Sequence, residues 1–134
     1  MTFPYLYGAR PVEPGENFRL LITGDRNWTD KARIAEILKE FDPEQTILSH
    51  GGARGADRLA GEVAREMGMP VMVFHAKWEE HGRAAGPIRN NHMLVTTDPH
   101  LVVAFHNDIE NSKGTGHMVR ESAKKNYTVV VIEK

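Results

Sequence analysis

The stretch Thr46-Ile47-Leu48-Ser49-His50-Gly51-Gly52-Ala53-Arg54-Gly55-Ala56-Asp57-Arg58 decides how this chain folds. A short apolar run enters a glycine-rich loop, and the loop opens a helical stripe of Ala56, Leu59, Ala60, Val63, Ala64 and Met67 that closes at Gly68 and Pro70. Gly51, Gly52 and Gly55 let the backbone turn tightly and bring its N–H groups close to a ligand. The helix N-terminus behind them adds partial positive charge, and Arg54 supplies a full one. The loop is therefore expected to receive an anion such as a phosphate.

Working outward, the same alternation repeats from Phe18 onward. Apolar runs at 18–23, 46–49, 71–74, 101–105 and 128–132 are rich in Val, Ile and Leu and nearly continuous, as strands buried on both faces are. Between them, Ile34, Ile37, Leu38 and Phe41 follow helical spacing after an N-cap at Asn27 or Thr29. Met118, Val119, Ser122, Ala123 and Asn126 mark another helix. Ile88, Asn91, Leu94 and Val95 mark a weaker one after Pro87. Five strands alternating with four helices predict an α/β fold, a Rossmann-like parallel five-stranded sheet with helices on both faces. One such domain accounts for 18–134. Residues 1–17, with Pro4, Pro11, Pro14, Gly8 and Gly15, read as an irregular N-terminal arm. Its Phe3, Tyr5, Leu6 and Tyr7 offer apolar area for packing on the body or on a partner, and a homodimer is the expected assembly.

Composition narrows the function. The 134 residues hold no cysteine, which removes disulfides and Zn–thiolate sites. No apolar stretch approaches the ~20 residues of a membrane span, and no signal-peptide pattern opens the chain, so a cytoplasmic protein without membrane partners is expected. A formal charge of −1 argues against a surface built for duplex DNA, and nucleic acid is not an expected partner. The seven histidines show no i, i+4 pairing with an acidic neighbour, so no metal is expected.

In a sheet of this kind ligands bind outside the carboxyl ends of the strands. The chemistry-bearing residues collect in those loops: Thr23-Gly24-Asp25-Arg26-Asn27-Trp28, the glycine loop, the segment from His75 to Asn90, and the segment from His106 to Gly116. The connections at the other end are plain turns. Arg26, Arg54 and Arg89 each stand beside a strand end or helix start, and their guanidinium forks suit phosphate. Lys77, Arg83 and Lys113 lie in the same loops, where ordinary solvated charge competes with a ligand role. Gly114-Thr115-Gly116 repeats the logic of the first loop; Thr115 as a simple N-cap explains the threonine but not both glycines. Trp78 is placed to stack on a base, or to fill an edge of the core. His50 ends a strand beside the glycine loop. The chain has no G-x-x-x-x-G-K-[ST], and Gly51-Gly52-x-x-Gly55 is not the dinucleotide fingerprint G-x-G-x-x-G.

Gly24-x-Arg26, His50-Gly51-Gly52-Ala53-Arg54-Gly55-Ala56-Asp57, Trp78, Ala85-Gly86-Pro87-x-Arg89-Asn90-x-x-Met93 and Gly114-Thr115 together resemble the YspA-like branch of the SLOG (SMF/DprA–LOG) superfamily. The resemblance implies a Rossmann-like domain that holds a nucleotide or nucleotide-derived ligand through Gly24, Arg26, His50, Gly51, Gly52, Arg54, Gly55, Asp57, Trp78, Arg89, Asn90, Gly114, Thr115 and Gly116. No further cofactor is required. The superfamily includes LOG-type phosphoribohydrolases, whose R-K-x-x-M element resembles Arg89-Asn90-Asn91-His92-Met93 with Asn90 in place of the lysine. Their G-G-x-G-T-x-x-E element aligns on Gly114-Thr115, and its carboxylate falls on Met118. Glycosidic cleavage needs a group to stabilise an oxocarbenium-like state or to activate water. Asp25, Asp57, Glu79 and Glu121 are candidate substitutes, and Arg89, Asp57 and Glu121 lead the catalytic candidates. Three readings follow: a nucleotide-binding sensor or effector first, an N-glycosidic hydrolase of nucleoside monophosphates second, and a single-stranded DNA binder third, the last disfavoured by neutral charge and few loop aromatics.

Overall fold

The computed structural model describes residues 8–134; the arm residues Phe3, Tyr5, Leu6 and Tyr7 lie outside that range. Five strands form one parallel sheet: β1 (Phe18–Gly24), β2 (Thr46–His50), β3 (Val71–Val73), β4 (Leu101–Phe105) and β5 (Val129–Ile132), in the order β3-β2-β1-β4-β5. The central strands carry their apolar residues on alternating sides. Leu20 and Ile22 of β1 and Leu101, Val103 and Phe105 of β4 enter one core layer, while Leu21 and Val102 enter the other. Their continuous hydrophobic pattern follows from this two-sided burial.

One layer is closed by α1 (Lys31–Leu38) and α2 (Ala56–Glu66), which contribute Ile34, Ile37, Leu38, Ala60, Val63 and Ala64. The other is closed by α4 (Ala85–Thr97) and α5 (Gly114–Lys124), through Met93, Leu94 and Met118. A four-residue helix, α3 (Trp78–His81), and a 3-10 turn at Gly82–Ala84 bridge β3 to α4. The chain therefore belongs to the α/β class with a single Rossmann-like layer pattern.

The structure corrects several local expectations. The α1 cap is Asp30, whose Oδ1 accepts the Arg33 N–H at 3.0 Å, and neither Asn27 nor Thr29 fills that role. Phe41 is not on the helix. The chain leaves α1 after Leu38, and Phe41 reaches the core from the turn, its ring 5.6 Å from that of Phe18. Helix α4 begins before Pro87, at Ala85. Proline is accommodated in that first turn because its missing N–H is one the helix leaves unpaired there.

Strand order reverses between β1 and β4. The loops that follow these two strands part at this point, and the crevice between them is where an open parallel sheet holds its ligand. At this end of the sheet the chain also places the glycine loop after β2 and the start of α4.

Candidate functional site

Two glycines shape the site from beneath. A Cβ on Gly24 would stand 2.6 Å from both the Ala56 side chain and the Phe105 carbonyl oxygen. Gly55 has φ 79°, and a Cβ there would collide with the carbonyl oxygens of Asp25 and Arg26. The ends of β1 and β4 and the start of α2 thus meet backbone to backbone, tied by Asp25 N–H to Phe105 O (2.9 Å) and Ala56 N–H to Asp25 O (3.0 Å).

The glycine loop holds an anion of its own. Asp57 Oδ2 accepts the N–H groups of Gly51 (3.0 Å) and Ala53 (3.3 Å), and His50 Nδ1 accepts that of Gly52 (2.9 Å). In this structure these N–H groups, expected to cradle a ligand phosphate, are held by the Asp57 carboxylate and the His50 ring. The N–H groups of Arg54 and Gly55 remain without a partner among the described residues. Burial raises the Asp57 carboxyl from 3.8 to about 6, against the pull of Arg89, the two N–H donors and Arg26. Its Oδ1 accepts no hydrogen bond within the described residues, and the side chain lines the crevice.

Arg89 is a strut as well as a charge. Its Nη1 donates to the carbonyl oxygens of Gly51 and Phe74, the latter at 3.2 Å, and its Nε donates to Asn90 Oδ1 at 3.0 Å. Nη2 is the donor left over. Asn90, buried, contacts His117 Nδ1 through its amide nitrogen at 3.1 Å. Asn90 therefore orients the arginine from the lysine position of the related R-K-x-x-M element.

These residues frame two adjoining lobes. The outer lobe, about 500 Å³, is lined by Arg58, His75, Trp78 and the Gly51–Gly52 backbone. The inner lobe, about 440 Å³, lies in the crevice between the β1 and β4 loops and is lined by Asp25, Asp57, Asn90, His106, Lys113 and Thr115 among others. Arg26, Ala53, Arg54 and Arg89 belong to both and form the seam. Trp78 is 51% exposed, with the Arg26 guanidinium 6.0 Å from its ring centroid, so it is not an edge of the core. In the inner lobe the N–H groups of Gly114 and Thr115 have no partner among the described residues and open α5 with its positive end. Ser112 Oγ accepts the Gly116 N–H at 3.1 Å, the capping role in the alternative reading of Thr115.

The cations here are unpaired. Arg26, Arg54, Arg58, Arg89 and Lys113 form no ion pair among the described residues; Lys39, Arg65, Lys77, Arg83, Arg120 and Lys134 form none either, but only the first five gather around one cleft, and Arg10, Arg19, Lys31, Arg33, Lys124 and Lys125 are paired. Arg54 is held only by a 3.4 Å contact to Asn27 Oδ1.

A family model for the YspA, cpYpsA-related SLOG family matches residues 18–81, from β1 through α3. The Gene 61 protein of Mycobacterium phage D29 is 37% identical over 120 residues, 84% of this chain and 94% of that protein. The chain belongs to the YspA-like SLOG family. Shorter likenesses link this SLOG chain to the mitochondrial arginine biosynthesis bifunctional protein ArgJ of Paracoccidioides brasiliensis strain Pb03 (36% identity) and of Paracoccidioides lutzii (34%). Each covers 53 residues, 40% of this chain and 11% of the relative. No solved structure matches.

Not every motif residue of this SLOG domain faces the cleft. His50 is buried beneath the loop; its Nε2 has no partner among the described residues and would lie 2.7 Å from a Cβ on Gly61. Burial, reinforced by Arg65 and other cations, lowers that imidazole from 6.5 to about 4. Gly55 and Gly116 support the site without lining it. Glu121 does not line it either: it binds Lys124 (3.2 Å) and Lys125 (3.4 Å). Met118 is fully buried with Leu21, Met93, Leu94 and Val102, so position 118 offers no carboxylate place in the cleft. Sequence reasoning missed Arg58 and His75 of the outer lobe and His106 of the inner one. Arg58 and His75 are brought together only by the β2–β3 pairing. Among the described residues no group of three or more metal-ligating side chains converges, and no helix is long and apolar enough to cross a membrane.

Proposed function

We propose that this domain binds a nucleotide or nucleotide-derived ligand in the two-lobed cleft and acts as a sensor or effector. The observation that carries the reading is the set of unpaired cations around the seam. Guanidinium groups gathered at one concave site without a direct ion-pair partner are stabilised by an anion, and their planar forks fit phosphate. The exposed face of Trp78 supplies a surface for a base, and membership of the SLOG family accords with a nucleotide-related ligand. The test is a thermal-shift screen of nucleoside mono-, di- and triphosphates on the wild-type chain and Arg54→Ala. A ligand that binds only the folded state at about 100 times its Kd adds ~2.7 kcal/mol of stability. Shifts in the wild type that vanish in the variant support the reading, and an unshifted wild type across the screen refutes it.

Asp57 favours a second reading, hydrolysis of the N-glycosidic bond of a nucleoside monophosphate. A carboxyl that titrates near pH 6, beside Arg89 and facing the cleft, has the properties of a general acid or base. Release of free base by the wild type but not by Asp57→Asn, followed by chromatography, would establish it.

A further inference from the structure

We infer that His117 is a positioning residue of the cleft, which sets the aim of Arg89 through Asn90. Its effect on binding rests on the nucleotide reading above; the chain of contacts does not. His117 lines neither lobe. It stands in the first turn of α5, two residues after Thr115, and its Nδ1 lies 3.1 Å from the Asn90 amide nitrogen on α4. Asn90 Oδ1 in turn accepts the Arg89 Nε–H at 3.0 Å.

The guanidinium fixes every role along this chain. An arginine nitrogen only donates, so the Asn90 atom facing it is the carbonyl oxygen. The atom facing His117 is then the NH2 group, which also only donates. His117 Nδ1 must accept, so the ring is neutral with its proton on Nε2. A proton on Nδ1 would set donor against donor, and turning the Asn90 amide over would move that clash to Arg89. Burial lowers the His117 imidazole below its ordinary 6.5, which favours the neutral ring.

The aim of Arg89 matters because it lines both lobes and Nη2 is its nitrogen left for a ligand. Nη1, bonded to the carbonyl oxygens of Gly51 and Phe74, pins one corner of the planar fork. A second anchor at Nε fixes the plane and hence the direction of Nη2. Asn90 is that anchor, and His117 holds its amide in the orientation that presents oxygen to the arginine. A neighbouring contact between α4 and α5, Lys125 Nζ to Asn91 Oδ1 at 3.1 Å, lies at the exposed surface, whereas the Asn90 contact continues inward to the cleft.

The experiment joins nitrogen-15 nuclear magnetic resonance of the full chain to calorimetry with AMP, ADP, GMP and GDP. In the wild type His117 carries its proton on Nε2, and the Arg89 Nε–H exchanges slowly with water. His117→Leu removes the acceptor. Arg89 Nε–H exchange then quickens, and affinity for the nucleotides that bind the wild type falls, each roughly tenfold, the worth of one hydrogen bond. His117→Asn places an amide oxygen where Nδ1 stands and restores both. A proton on Nδ1 in the wild type overturns the positioning role, and so does an Arg89 signal unmoved by His117→Leu. A His117→Asn protein that behaves like His117→Leu overturns it as well, since ring packing would then be what counts. A wild type that binds none of the four nucleotides counts against the nucleotide reading instead, and the Arg89 signal alone then decides the role of His117.

Discussion

Asp57 Oδ2 accepts the Gly51 N–H at 3.0 Å, so the loop that reads as a phosphate cradle is organised around an internal carboxylate. On the proposed reading the ligand charge would be met by side chains at the seam and by the start of α5, and Asp57 is a titrating group of the cleft. Its folded value near 6 lies above the ordinary 3.8, so its stabilising contribution is complete below about pH 4 and is lost as pH rises through 6. Two pKa units correspond to about 3 kcal/mol. Asp57→Asn keeps an oxygen for the two N–H donors and removes the ionisation. Its melting temperature relative to wild type should be highest at pH 7 and fall toward pH 4. A difference that stays constant over this range would show that the carboxyl is not perturbed.

His50 works in the opposite sense. Its folded value near 4 lies below 6.5, so its contribution is complete above pH 6.5 and lost as pH falls through 4. Nuclear magnetic resonance of the ring should show the neutral Nε2–H tautomer, with Nδ1 accepting the Gly52 N–H, down to about pH 5. An imidazole that titrates at 6.5 would place His50 in solvent instead of beneath the loop.

Arg54 and Arg89 should separate binding from folding. Arg54 makes one long contact, to Asn27, so Arg54→Ala should leave the melting temperature within a degree or two while nucleotide affinity falls roughly ten- to a hundredfold. Arg89 joins the glycine loop, the end of β3 and Asn90, and Arg89→Ala should lose on the order of 3 kcal/mol of stability as well as affinity. Equal melting temperatures for the two variants would refute the strut role.

Much of this arrangement was legible in the sequence because it depends on local signals. Apolar runs buried on both faces located the five strands, and the clustering of Gly, Arg and His in the loops after them located the cleft. What escaped depends on phase and on packing across strands. Whether His50 faces ligand or core is decided by which face of β2 meets Gly61, a contact eleven residues away in the chain. Position 118 could be assigned only once α5 was known to begin at Gly114, since that start turns Thr115, Met118 and Ser122 together toward the sheet. The anion in the glycine loop was hidden for a related reason. Asp57 reads as a first-turn helix residue, and nothing in its spacing announces that it folds back onto Gly51 and Ala53.

The glycines should divide in the same way. Gly55→Ala forces a side chain into φ 79° and against two carbonyl oxygens, and should destabilise the fold by about 3 kcal/mol or more. A Cβ on Gly114 meets nothing within 4 Å and lies in an ordinary helical conformation, so Gly114→Ala should preserve or slightly raise stability. Gly114→Val places bulk in the inner lobe and should weaken ligand binding with the fold intact. Denaturant unfolding beside calorimetry checks all three, and unfolding of Gly114→Val would mean that this glycine serves the backbone.

Met118 supplies the last test. Alignment with LOG-type enzymes suggests that Met118→Glu should install the missing carboxylate and raise hydrolysis. Its full burial among Leu21, Met93, Leu94 and Val102 reverses that expectation. An ionised carboxylate there has no partner, and an uncompensated buried charge costs about 3–5 kcal/mol, so the variant should melt well below wild type and release no more base. Met118→Leu conserves volume and apolarity and should cost less than about 1.5 kcal/mol. A Met118→Glu protein that keeps its melting temperature and gains base release would mean that the start of α5 turns this side chain into the cleft.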